Sequence, residues 1–220
     1  MQRKWSDWSR RSDWQFARAQ SELQDWPKRL EIQQAVRKST HFENKKHNIR
    51  LGYERISQVV VQPGEVFSFW QIVGPPTARN GFRKGRNLLN GQLKEDYGGG
   101  LCQLSGMLYY LALQAGFVIL ERYNHSVDIY TEETRFAPLG SDATVVYGYK
   151  DLRFINNTEQ PIRFSFKLED QDLSGVLHAP KVLKIRKLSF IPVASTTEKV
   201  RVNTETENGE ILATSSYRLP

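Results

Sequence analysis

From Trp5 to about Lys38 the apolar residues Trp5, Trp8, Phe16, Leu23, Leu30, Ile32 and Val36 stand among polar ones without glycine, and only Pro27 interrupts them. This spacing predicts two amphipathic helical pieces whose tryptophans anchor packing. Residues 59–61 read as a short strand closed by the Pro63-Gly64 turn, and 66–70 as the next extended piece. Between Gly74 and Gly100 the periodicity dissolves into Pro75, Pro76 and the glycines Gly81, Gly85, Gly91, Gly98, Gly99 and Gly100, which predicts a long ordered loop or a set of short strands. The clearest helix follows over 103–115, where Leu104, Leu108, Leu111 and Ala115 recur at helical spacing and Gly116 suits the C-terminal cap.

Beyond Gly116 the pattern turns to strands, at 117–120, 126–130, 144–149, 152–155 and 162–168, then 175–177 and 182–185. Asn208-Gly209 predicts a hairpin between 199–206 and 210–217. The fold class expected is α+β: one cysteine-bearing helix packed on an antiparallel sheet, with N-terminal helices and C-terminal β-hairpins. A length of 220 residues suits a single core. The expected organisation is an N-terminal helical segment, 1–50, joined to an α+β domain, 51–220, in one structural unit.

Composition narrows the partners. With 39% hydrophobic and 25% charged residues the chain is suited to a packed globule and excludes disorder. The net charge of +7 favours anionic partners. Its basic residues are spread, with short runs only at Arg10-Arg11 and Lys45-Lys46, so no nucleic-acid arm is expected. No apolar run approaches the ~18 residues of a membrane span, and the N-terminus has no apolar core of a signal peptide. As it stands, the chain reads as cytoplasmic.

The one cysteine excludes an internal disulfide and any multi-cysteine zinc site, which puts weight on Cys102. It follows Gly98, Gly99 and Gly100 at the mouth of the predicted helix, where unpaired N–H groups and the positive end of the helix dipole favour a thiolate. The same N–H groups, with the Gln103 side chain as an extra donor, could form an oxyanion hole, and three glycines would let a substrate approach the backbone. His125, opening the next apolar run, is the candidate base. Asp142 fits best as the group that fixes the imidazole, with Asp128 and Asp151 as rivals. Phe67, Phe69 and Trp70 could stack on a sugar, although core packing explains such aromatics more often. The glycine run lacks the lysine of a phosphate loop, so no nucleotide, cofactor or metal is expected.

The order of cysteine at a helix start, histidine at a strand and aspartate at the next strand resembles the core of papain-like and transglutaminase-like enzymes. The runs GEVFSFWQIVGPPTARNGF, GGGLCQLSGMLYYLALQAG, ERYNHS and SDATVVYGYKDLRFIN resemble the conserved region of the VanW family, over about residues 55–168. That resemblance places Gly98, Gly99, Gly100, Cys102, Gln103, Ser105, His125, Asp142 and Asp151 at motif positions. It also implies a link to glycopeptide resistance and an association with Gram-positive envelopes, without a mechanism.

Two functions are therefore expected in order. The first is cysteine-dependent acyl transfer or hydrolysis on a cell-wall-related peptide or amide. The second is a non-catalytic, envelope-associated module that binds glycan or peptide.

Overall fold

The computed structural model describes residues 14–89, 92–128 and 137–219. The chain is a mixed α+β protein, and the antiparallel sheets surround one nearly buried helix.

From residue 14 to Val36 the chain holds strands and no helix, which corrects the expectation of helical pieces there. After β1 (Arg18–Ala19) comes β2 (Lys28–Ala35), an edge strand antiparallel to β10 (Asp172–His178). The reason lies in its alternation: Leu30, Ile32, Gln34 and Val36 recur every second residue, and Gln34 and Val36 are buried while Glu31, Gln33 and Ala35 face solvent. Trp5 and Trp8 lie outside the described residues. Helix α1 (Phe42–Ser57) then runs without a break across the expected boundary at residues 50 and 51.

Strand β3 (Val59–Val61) and the turn at Gly64 stand where the pattern put them. The next extended piece stops early. Strand β4 (Val66–Ser68) ends because Ser68 Oγ accepts from Gln71 N and caps the short helix α2 (Phe69–Val73). A 3-10 turn (Ala78–Asn80) and the ribbon of β5 (Lys84–Leu89) and β6 (Gln92–Tyr97) fill the glycine-rich stretch. Helix α3 (Leu101–Gln114) follows.

Strands β7 (Val118–Glu121) and β8 (Arg153–Ile155) join β4 in a three-stranded sheet ordered β4-β8-β7. With β9 (Ile162–Glu169), the five-stranded sheet is ordered β1-β3-β9-β10-β2. Strands β11 (Leu188–Ser195), β12 (Lys199–Thr206) and β13 (Ile211–Arg218) form a C-terminal sheet, with the Asn208-Gly209 turn between the last two.

Among the described residues, three of the expected strands do not form. Residues 182–185 form no strand, and of 126–130 only Val127 makes a bridge, to Arg218, the residues from 129 onward lying outside the described ones. Residues 144–149 hold a single bridge, Val146 to Lys150, around Gly148 at φ 82°. The backbone just before that turn is committed elsewhere: Thr144 N donates to Tyr123 O at 2.7 Å, and Ala143 O accepts from a side chain.

Helix α3 is apolar on nearly every side and is buried accordingly, from Leu101 through Leu113 with only Cys102 and Tyr110 partly exposed. Its C-terminus closes as the Gly116 signal predicts, with Gly116 at φ 78° and the paired bonds Phe117 N to Ala112 O and Gly116 N to Leu113 O. On one side Gly52 of α1 gives it room, since a Cβ there would lie 2.9 Å from Leu101 and Leu104. Stacked rings of Phe67, Phe154 and Phe117 fill the core between the sheets.

Candidate active site

The glycine turn sets where α3 starts. Gly98 (φ 87°) and Gly100 (φ 101°) adopt left-handed conformations that other residues rarely enter. A Cβ on Gly98 would lie 2.8 Å from Pro76, one on Gly100 2.8 Å from Lys45, and Gly85 approaches the Gly99 backbone. The three glycines are therefore packed against protein. Buried Asn48 of α1 ties the turn down: its Nδ2 donates to Gly99 O and Arg83 O, and its Oδ1 accepts from Arg83 N.

Cys102, the second residue of α3, is half-buried with Sγ 3.6 Å from Thr144 Oγ1 and 3.7 Å from Val145 O. The 142–145 segment is held there by α3 itself. Ser105 Oγ donates to Ala143 O at 2.6 Å, and Gly106 leaves ordinary space against Asp142 and Ala143. His125, four residues past β7, is the imidazole whose interaction with the thiol shifts both groups. Its Nδ1 lies 2.6 Å from Asp142 Oδ2, so Nε2 is the nitrogen left for sulfur; the His125 backbone N–H donates to the same oxygen at 2.7 Å.

Two further groups act on the other carboxylate oxygen. Arg122 Nη2 donates to Asp142 Oδ1 at 3.0 Å, while its Nε and Nη1 donate to Asp142 O and Ser215 Oγ. Tyr217 donates its hydroxyl to Asp142 Oδ1. Among these ionisable groups, burial and charge oppose each other. Burial raises the Cys102 thiol, yet the His125 hydrogen bond and charge outweigh it and the pKa falls below its ordinary value. Burial would lower His125, but the hydrogen bonds to Asp142 and Cys102 and their charges hold it up to about 10. Burial would raise Asp142, but His125 and Arg122 hold it down to about 2. Both shifts run in the direction that favours a thiolate beside an imidazolium.

The remaining sequence candidates fall as follows. Gln103 does not face the sulfur, because its Nε2 donates to Ala35 O at the end of β2. Of the first-turn N–H groups, those of Leu101, Gln103 and Leu104 go to Gly98 O and Gly100 O, whereas among the described residues no partner is found for the Cys102 N–H. Asp151 is buried away from His125: it accepts from Ser68 Oγ, Trp70 N and Arg153 Nε and so fastens the start of α2. Asp128 is also buried, its N–H bonded to Arg218 O.

Phe67 and Phe69 have no exposed surface and cannot stack on a sugar; Trp70 keeps 9% and donates Nε1 to Lys150 O. Among the described residues the exposed aromatics are instead Tyr123, Tyr147 and Tyr149, on the segments flanking Thr144 and Val145. Sequence reasoning missed Arg122, Thr144, Ser215 and Tyr217. Arg122, three residues before His125, and Thr144, two after Asp142, stood beside sequence candidates, whereas Ser215 and Tyr217 carried no local signal.

A family model described as VanW like protein matches residues 44–178. This chain belongs to the VanW-like family. Over 180 residues the VanW-like chain is 34% identical to the uncharacterized protein YoaR of Bacillus subtilis (strain 168), covering 80% of this chain and 57% of that one. Over 139 residues it is 32% identical to the vancomycin B-type resistance protein VanW of Enterococcus faecalis (strain ATCC 700802 / V583), covering 63% and 50%. The chain thus spans about half the length of these relatives. No solved structure matches it. Cys102, His125 and Asp142 lie within the matched VanW-like segment, whereas Ser215 and Tyr217 lie beyond it. Among the described residues, no helix is long and apolar enough to cross a membrane.

Proposed function

We propose that this VanW-like chain is a cysteine-dependent acyltransferase or hydrolase acting on amide or ester bonds of cell-wall-related peptides. The observation that carries the reading is the line from Cys102 through His125 to Asp142 at the start of α3. The Cys102 thiolate attacks the carbonyl carbon, forming a C–S bond as the carbonyl π electrons move to oxygen. The Cys102 N–H, with no partner found among the described residues, is the donor available to that oxyanion. Collapse breaks the bond to the leaving amine or alcohol, which takes its proton from His125 and leaves a thioester. Neutral His125 then removes a proton from water or an acceptor amine, and attack on the thioester releases the acyl group and restores thiolate and imidazolium. Asp142 holds the imidazole with Nε2 toward sulfur throughout.

The substrate class is suggested by the vancomycin B-type resistance protein among the relatives. Incubation with cell-wall peptide fragments should give a covalent acyl adduct on Cys102 by mass spectrometry and released leaving group, both abolished in Cys102→Ala. Release that persists in Cys102→Ala would refute the reading. The exposed Tyr123, Tyr147 and Tyr149 favour a second one, a glycan- or peptide-binding module in which Cys102 only packs. That reading requires fragment affinity to survive Cys102→Ala with no adduct formed by the wild type.

A further inference from the structure

The carboxylate of Asp142 is fully subscribed, and half of its partners are fixed by the C-terminal sheet. Oδ2 accepts from His125 Nδ1 and His125 N, while Oδ1 accepts from Arg122 Nη2 and Tyr217. The direction of the tyrosine bond is forced. Tyr217 is 1% exposed, its oxygen already accepts from Gly140 N at 3.0 Å, and an ionised carboxylate can only accept, so the hydroxyl hydrogen lies on the bond to Asp142. Burial and the neighbouring carboxylate push the Tyr217 hydroxyl pKa up, which keeps that hydrogen in place.

Ser215, two residues earlier and on the same face of β13, accepts from Arg122 Nη1, and the guanidinium lies over the Tyr109 ring. The strand also binds the histidine segment directly. Asp128 N donates to Arg218 O, Arg218 N to Ser126 O, and Asn124 Nδ2 to Ser216 O. One strand thus holds both the aspartate and the stretch carrying the histidine, although it lies outside the family-matched residues 44–178.

We propose that Tyr217 is a positioning residue of the Cys102 centre, clamping Asp142 Oδ1 so that Oδ2 is directed at His125, and that the C-terminal β11-β12-β13 sheet is thereby a working part of the site. This rests on the reading of Cys102, His125 and Asp142 as the reactive centre. A purely structural tyrosine would alter stability without acting through Asp142.

The test is a double-mutant cycle of Tyr217→Phe and Asp142→Asn in the full chain. It is read by the pH profile of Cys102 alkylation with iodoacetamide and by the low-field Nδ1 proton of His125 in NMR spectra. Losing one hydrogen bond to a charged group, felt indirectly, should slow alkylation at pH 7 about tenfold. The Nδ1 proton should move upfield, and Tyr217→Phe should have no further effect in the Asp142→Asn background. Profiles and Nδ1 signal unchanged by Tyr217→Phe, or a loss of equal size in the Asp142→Asn background, would overturn the proposal. An ordinary thiol profile in the wild type would instead count against the acyl-transfer reading, and the Nδ1 proton would still decide the clamp. Should Tyr217→Phe fail to fold, Ser215→Ala, which removes the acceptor of Arg122 Nη1 from the same strand, is read in the same cycle by the same two outcomes.

Discussion

Replacing Asn48 by alanine should loosen the turn that starts the Cys102 helix. Asn48 is fully buried, and its amide makes three hydrogen bonds, to Arg83 O, Gly99 O and Arg83 N. Alanine cannot make any of them, and the cavity it leaves at the junction of α1 with the glycine turn is small and walled by protein. Each such bond contributes about 1 kcal/mol net, and buried groups left unmet cost more, so the loss should be about 3 kcal/mol. Urea unfolding followed by tryptophan fluorescence measures it as a lower midpoint at unchanged slope. The Gly99 carbonyl is one residue from the N-cap Gly100, so Cys102 alkylation at pH 7 should slow as well. A loss below about 1 kcal/mol would refute this bookkeeping, because it would mean that water or a shifted side chain replaces all three bonds.

Stability should also track pH through the His125–Asp142 pair. His125 is raised from 6.5 to about 10, so its contribution is fully present below about 6.5 and is lost as pH rises through about 10. Asp142 is lowered from 3.8 to about 2, so its contribution is present above about 4 and is lost as pH falls through about 2. The difference in unfolding free energy between wild type and Asp142→Asn should therefore be a plateau from about pH 4 to 6.5 that declines on both sides; a difference flat across the whole range would contradict it. Phe67→Ala should cost about 3–5 kcal/mol in thermal or urea unfolding, since the ring is fully buried and stacked 4.6 Å from Phe154; a near-neutral result would return Phe67 to the surface role first considered for it.

Elements set by local chemistry could be read from the sequence, and those set by distant partners could not. Helix α3, its closure at Gly116 and the Asn208-Gly209 hairpin each follow from periodicity and a turn residue, and all three stand in the structure. The α+β class follows from the same signals. The second N-terminal strand is legible too, because Leu30, Ile32 and Val36 also fit a period of two, a signal that the lack of glycine masks as helical spacing. The 144–149 segment has strand-like composition, but Thr144 N donates to Tyr123 O and the Ala143 carbonyl just before it accepts from Ser105.

At the site, sequence order pointed to Cys102, His125 and Asp142, and His125 Nδ1 lies 2.6 Å from Asp142 Oδ2. It put Asp142 ahead of Asp128 and Asp151 but carried no sign that Asp151 is held by Ser68 and Arg153. Tyr217 lies 75 residues from Asp142 on a strand whose composition shows nothing of the carboxylate it holds. The glycine triplet was visible as a turn, while its neighbours Pro76, Gly85 and Lys45 come from tertiary packing alone.

The reactive pair itself is most directly tested by alkylating Cys102 with iodoacetamide from pH 4 to 10 in wild type and His125→Ala, a chain with one sulfur nucleophile. The account predicts a thiol that titrates well below the ordinary ~8.5 in the wild type and returns toward or above it when the imidazole is removed. A thiol with the same profile in both proteins would contradict it.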